Sequence, residues 1–229
     1  MSVVERPSII GDSIYWGSIA ILVFALKQFY SAASADQLQW MLRPLVSLLE
    51  LFSDLSFEPT AENEWLDTNR RISIVKSCAG VNFFIISLLG YLWQRRGCRR
   101  RLRILILALT SAWLTALLAN TLRILLSVYW EDSMAAGLGL SEEDCHRAIG
   151  IAVYFSCLWT QLACYRLEGF SRTLITASVC YLSITLLIPL LRTWLLGLEP
   201  VSLQHIVWVA GIPLAMTLLG YCFSARSHW

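Results

Sequence analysis

Charge is scarce in this chain. Only 15% of its 229 residues are Asp, Glu, Lys or Arg, against 57% hydrophobic residues, and the mean hydropathy is +0.60. An average soluble domain carries about a quarter charged residues, so an ordinary soluble enzyme and a disordered chain are excluded. The net charge of +2 leaves no overall basic footprint for nucleic acid. Histidine is rarer still, with three in the chain. They form no HExxH and no ligand cluster of metal-binding spacing, so neither a metal nor a cofactor is expected. The seven cysteines include no CxxC pair, which removes the usual relay of a thiol oxidoreductase. No internal repeat marks the two halves of a transporter, and no GxSxG-like setting offers a serine nucleophile.

What is present is a series of long apolar runs. A spanning helix needs roughly 20 mostly apolar residues. Such runs occur at 13–33, 78–94, 104–130, 147–165, 173–196 and 203–223. The pattern predicts an all-α polytopic membrane protein, a single integral membrane domain over 1–229 with about six transmembrane helices. The stretch 38–53 is apolar but short, and Arg43-Pro44 falls inside it, so an interfacial or re-entrant helix is expected there. A small extracytoplasmic segment fills 54–77. Its end, Arg71-Ile72-Ser73-Ile74-Val75-Lys76, nearly alternates polar and apolar residues and predicts a short strand feeding the next helix. Arg6, the first apolar run and Ala33-Ser34-Ala35 resemble a signal peptide. However, the run is longer than a usual signal core and holds Lys27, so a retained first helix is expected.

Orientation follows from the loop RRGCRRRLR at 95–103, with six Arg in nine residues. Cytoplasmic loops collect such clusters. Alternating from that anchor puts 54–77, 131–146 and 197–202 outside, and Arg166, Arg172 and Arg226 inside. The expected location is the inner (plasma) membrane, with the lipid bilayer as surroundings. At about 1.5 Å per residue, about 20 residues cross a core of about 30 Å. Counting from the inner arginines, Cys78, Arg123, His146, Arg192 and His205 all arrive at one outer layer.

Each of these residues also has a structural reading. Arg192, near Pro189, and Lys27 are expected to snorkel to the headgroups, and His205 is expected to be an interfacial histidine. Arg123 differs, because the apolar stretch continues beyond it to Trp130. Asn120 at i−3 and Ser127 at i+4 share its face, and a polar stripe on a spanning helix faces a bundle interior or a wet cavity. Ser141-Glu142-Glu143-Asp144 reads as a helix start, which places His146 in the second turn near acids that favour its charged form. Cys157, Cys164, Cys180 and Cys222 fall in apolar helix interiors as packing residues, and Cys98 lies on the inner side. Only Cys78 and Cys145 reach the outer layer. Cys78 stands among Ser77, Ala79 and Gly80 at a strand-to-helix junction. Such a place leaves room for a substrate backbone and free N–H groups for an oxyanion.

The order Ser77-Cys78-Ala79-Gly80, then Asn120-Thr121-Leu122-Arg123-Ile124, then His146-Arg147-Ala148-Ile149-Gly150 resembles the exosortase/archaeosortase family of membrane transpeptidases. The resemblance covers about 72–165, and the chain would be a compact variant. The resemblance implies a cysteine peptidase that cuts exported proteins near a C-terminal sorting tail, made of a motif, a transmembrane helix and an Arg-rich end. The cleaved protein passes to an acceptor on the periplasmic or extracytoplasmic side. It implies Cys78 as nucleophile, Arg123 as carbonyl or oxyanion donor, and His146 as proton carrier. Asn82 and Asn120 are candidate orienting residues. Two alternatives stand beside it. One is a membrane thiol-disulfide redox protein using Cys78 and Cys145. The other is a transporter or assembly factor in which Arg123, Arg192 and Lys27 pair or line a path.

Overall fold

The apolar runs fold into helices. A computed structural model of the chain describes residues 9–95, 101–164, 170–196 and 202–226. In order these are α1 (Ile9–Ala32), α2 (Gln39–Phe52), strands β1 (Glu58–Pro59), β2 (Trp65–Asp67) and β3 (Ile72–Ile74), and then α3 (Val81–Gln94). They are followed by α4 (Arg101–Leu138), α5 (Glu142–Cys164), α6 (Phe170–Leu182), α7 (Ile188–Leu196) and α8 (Leu203–Arg226). Among the described residues, five stretches are long and apolar enough to cross a membrane: Ser13–Ala32, Lys76–Gln94, Arg101–Leu138, Glu142–Cys164 and Thr173–Leu190. In α8 the apolar stretch is the shorter Leu203–Leu219. The Arg-rich loop at 96–100, Cys98, Arg166 and His228 lie outside the described residues, as do the side chains of Arg172, Arg192, Cys222 and Arg226.

The core is formed by α3, α4 and α5 packed against one another. A helix apolar all round belongs inside a bundle, and α3 is one, with Val81, Phe83 to Leu88 and Gly90 to Leu92 all buried. On α4, Ala108, Ala112, Ala116 and Ala119 are each fully buried. Small residues at this spacing let helix backbones approach closely in a bilayer. The outer helix α1 packs on α3 and exposes most of its surface.

Four expectations need correction. First, α4 does not stop at residue 130 but runs 38 residues to Leu138, about 57 Å at about 1.5 Å per residue. It ends on Gly139 at φ +64°, where the Leu140 N–H returns to the Ala135 carbonyl at 3.1 Å, a Schellman closure. Second, Pro44 does not interrupt α2, which is one helix of 14 residues. At about 21 Å it is too short to span. It buries Met41, Leu42, Leu45, Val46 and Leu49 against α4 and the turn that carries Cys78, while Trp40, Leu51 and Phe52 stay exposed. Third, the all-α description omits a three-stranded antiparallel sheet within 54–77, ordered β1-β2-β3. β3 is the strand the alternation predicts. β1 and β2, two and three residues long, are too short for a periodicity signal. Fourth, the apolar run 173–196 is not one regular helix, because Ser183–Leu187 forms a π-turn between α6 and α7.

Asp67 anchors the sheet. Its carboxylate accepts the Arg70 N–H at 2.7 Å and the Ser56 N–H at 2.8 Å. These two contacts, that with Arg70 first, hold its carboxyl below the ordinary carboxylate range.

Candidate active site

The sheet delivers the chain to Cys78. After β3, residues Lys76–Ala79 form one 3-10 turn, and the Cys78 N–H bonds to the Val75 carbonyl at 2.8 Å. Cys78 therefore sits just before α3 rather than on its first turn. Gly80 follows at φ +66° and starts the helix. Two constraints require glycine there. The left-handed conformation disfavours a side chain, and a Cβ would lie 2.1 Å from Asn120 Nδ2. Lys76 ties the turn to the end of α1 through the Ser31 carbonyl at 3.0 Å.

A polar stripe on α4 meets this turn. Asn120 is fully buried and donates from Nδ2 to the Cys78 carbonyl at 2.7 Å. Its Oδ1 accepts the Tyr154 hydroxyl from α5. Tyr154 in turn accepts from Arg123 Nη1 at 3.0 Å, and its ring stacks on Phe83 of α3 at 4.7 Å between centroids. Arg123 Nη2 lies 3.0 Å from His146 Nε2. An unbroken chain of contacts thus runs from His146 through Arg123, Tyr154 and Asn120 to the backbone of Cys78. The Cys78 side chain is half-buried. Gly150 packs against the Arg123 side chain, where a Cβ would make ordinary contact at 3.6 Å.

His146 does sit on the second turn of α5, and the start of that helix is capped as the sequence indicates. The Asp144 N–H bonds to Ser141 Oγ at 3.2 Å, and Ser141 returns a bond to the Asp144 carboxylate at 3.0 Å. However, the acid at His146 is not from that run. Glu143 and Asp144 are engaged by Arg147. The partner is Glu131, whose Oε2 lies 2.9 Å from His146 Nδ1, with Ser127 Oγ also near Nδ1 at 3.2 Å. Glu131 extends the α4 stripe by the same i+4 step that links Arg123 to Ser127. A helix assumed to end at residue 130 hides it.

Arg123, His146, Tyr154 and Asn82 face a cavity of about 390 Å³, with Phe83, Ile151, Ile184, Pro189 and Val209 on its apolar walls. Cys78 does not line this cavity, but Asn82, four residues on, does. Two residues differ from their expected places. Lys27 turns inward to Asn82 Oδ1 and joins the cavity wall, and His205 lines it from α8. The start of α8 is held there by Gln204, which donates to Asp144 at 2.8 Å. Cys145 is buried with its thiol on the Glu131 carbonyl at 3.6 Å. Cys78, Cys145, Cys157, Cys164 and Cys180 are all free thiols.

Comparison of the chain with protein-family models, curated proteins and solved structures finds no match.

Proposed function

We propose that the protein is a membrane-embedded cysteine transpeptidase that cleaves exported proteins beside a C-terminal transmembrane tail, with Cys78 as nucleophile. It crosses the plasma membrane about six times, with 54–77 and the Cys78 turn on the extracytoplasmic side. The observation that carries this reading is the contact chain joining the three motif segments: His146 to Arg123, Arg123 to Tyr154, and Tyr154 through Asn120 to the Cys78 carbonyl. Residues far apart in the sequence with no common structural task would not need to share one hydrogen-bonded network.

The chemistry follows from the side chains. Cys78 Sγ bonds to the scissile carbonyl carbon and the peptide C–N bond breaks, leaving a thioester. The thiol proton passes by way of His146 to the leaving amine. Arg123, always charged and able only to donate, holds the carbonyl oxygen as negative charge develops on it. The acceptor then attacks the thioester and gives its proton to His146, the acyl C–S bond breaks, and His146 passes the proton to the released Cys78 sulfur. Asn120 keeps the Cys78 backbone in place, and Asn82 stands with Lys27 at the cavity wall. A substrate helix across the bilayer would present its cleavage site at this depth, with its basic end inside.

The redox alternative needs Cys78 and Cys145 to react together, whereas Cys145 is buried against the Glu131 carbonyl. The test is a variant panel assayed for removal of C-terminal tails from membrane proteins. Cys78→Ala and Arg123→Ala are expected to abolish processing with normal insertion, and Cys145→Ala to retain it. Processing that survives Cys78→Ala and is lost in Cys145→Ala overturns the assignment.

A further inference from the structure

We infer that Glu131 is a positioning residue that accepts the Nδ1 proton of His146 and, together with Arg123 on Nε2, holds the ring in the Nδ1–H tautomer. This role deepens, and rests on, the transpeptidase reading. Which ring nitrogen holds the proton is set by the partners of the ring. Arg123 has no acceptor atom, so across the 3.0 Å contact Nη2 donates and His146 Nε2 accepts. In the neutral ring, Nε2 therefore carries the lone pair and the proton belongs to Nδ1. The carboxylate of Glu131, 2.9 Å from Nδ1, is the acceptor for that proton. Ser127 Oγ, at 3.2 Å, shares it at most. Glu131 suits this task because its side chain is only 18% exposed, against 45% for that of His146. A partly shielded carboxylate orients a ring that is itself open to the cavity.

The same geometry defines the order of events. At rest, Arg123 occupies the lone pair that His146 needs as a base. A substrate carbonyl oxygen that draws the guanidinium toward itself frees Nε2. Nε2 then takes the Cys78 thiol proton as the S–C bond forms, and gives it to the leaving amine as the C–N bond breaks. Glu131 keeps its contact with Nδ1 throughout and stabilises the imidazolium formed between the two transfers.

Two measurements test the role. The first needs no substrate: nitrogen NMR of histidine-labelled protein in detergent micelles, with His146 assigned through His146→Gln. The expected signal is a protonated Nδ1 and a lone-pair Nε2 in the wild type, with the Nδ1 proton far downfield in its carboxylate hydrogen bond, and Glu131→Ala, in which Arg123 still donates to Nε2, moving that proton upfield. A wild-type ring protonated at Nε2 alone overturns the proposal. The second uses a host membrane protein that loses its C-terminal tail in the wild type but not in Cys78→Ala. Glu131→Ala is expected to lower kcat about 100-fold with KM unchanged, while alkylation of Cys78 by iodoacetamide continues at the wild-type rate. Glu131→Gln, which still offers an acceptor oxygen, recovers part of the loss, and added formate recovers part of it in Glu131→Ala. Wild-type kcat in Glu131→Ala, or a loss that neither Gln nor formate relieves, overturns the positioning role and leaves the nucleophile assignment standing. Tail removal that survives Cys78→Ala overturns the transpeptidase reading, with the tautomer result unaffected.

Discussion

The α3–α4–α5 core handles its polar atoms differently at its two ends. Toward the Cys78 turn, Asn120, Tyr154, Arg123, His146 and Glu131 form one continuous network. Nearer the other end, Ser87 of α3 donates to Gln161 Oε1 on α5, and the pair stops there, with buried Gln161 Nε2 lacking a hydrogen-bond partner. Interhelical pairs in bilayers average only about 0.6 kcal/mol, so the Ser87–Gln161 pair serves as modest helix-to-helix adhesion. A network of five side chains from two helices, ending on the backbone of a reactive residue, goes well beyond what adhesion requires. Buried polar groups are expensive unless they are satisfied. Of the five only Asn120 is fully buried, and the convergence of the network on the half-buried Cys78 is what supports the proposed chemistry.

That contrast can be broken at several points. The largest expected effect is at Cys78 and Arg123, where alanine removes tail processing altogether while membrane insertion persists. Equal loss of insertion would return both residues to a structural role. Next is Gly80→Ala. Its Cβ would fall 2.1 Å from Asn120 Nδ2 at a left-handed backbone position, so Asn120 must give up the Cys78 carbonyl. We expect processing to fall about 100-fold with the detergent-solubilised protein still helical by circular dichroism. Tyr154→Phe keeps the ring stack on Phe83 but removes the donor to Asn120. That leaves the buried amide oxygen unsatisfied, at a cost of about 1–3 kcal/mol, measurable as a lower thermal midpoint together with about tenfold slower processing. Gln161→Leu, at the other end, is expected to change stability by less than about 1 kcal/mol and processing not at all. A strong activity loss there would erase the distinction between the two ends.

The smallest effect concerns the sheet. The folded-state pKa of Asp67 is depressed by the Arg70 and Ser56 N–H groups. Its stabilisation is therefore complete above the ordinary carboxylate range and is lost only as pH falls through the lower folded value. Opening of 54–77, read by hydrogen exchange after correction for the intrinsic pH dependence of the exchange rate, should be unchanged between pH 7 and pH 5 and should rise only in stronger acid. Asp67→Asn should remove that acid-dependent rise.

Much of this arrangement was legible in the sequence because membrane helices leave a strong compositional trace. The apolar runs at 78–94 and 147–165 correspond to the stretches Lys76–Gln94 and Glu142–Cys164, and Arg123, His146 and His205, expected in one layer, line one cavity, whereas Cys78, expected in the same layer, does not line it. The Asn120–Arg123–Ser127 stripe also follows from helical spacing alone. Other parts were not legible, for specific reasons. Tyr154 sits on α5 among apolar residues, and no periodicity separates it from a packing aromatic. Glu131 falls one residue beyond the apolar run 104–130, whereas the helix continues to Leu138. Lys27 reads as a snorkelling lysine because nothing local in the sequence announces Asn82, 55 residues away. Pro44 misleads because its missing N–H lies in a helix whose identity is set by burial of its apolar face against α4.

The central claim is that Cys78 cleaves tails at the outer membrane face, and it is tested most directly by comparing the membrane and surface proteins of the native host in wild type and Cys78→Ala. The account predicts a small set of proteins that lose a C-terminal helix and basic tail only in the wild type, with a shared sequence at the cut. Identical protein termini in the two strains, with Cys78 recovered in a disulfide with Cys145, would contradict it.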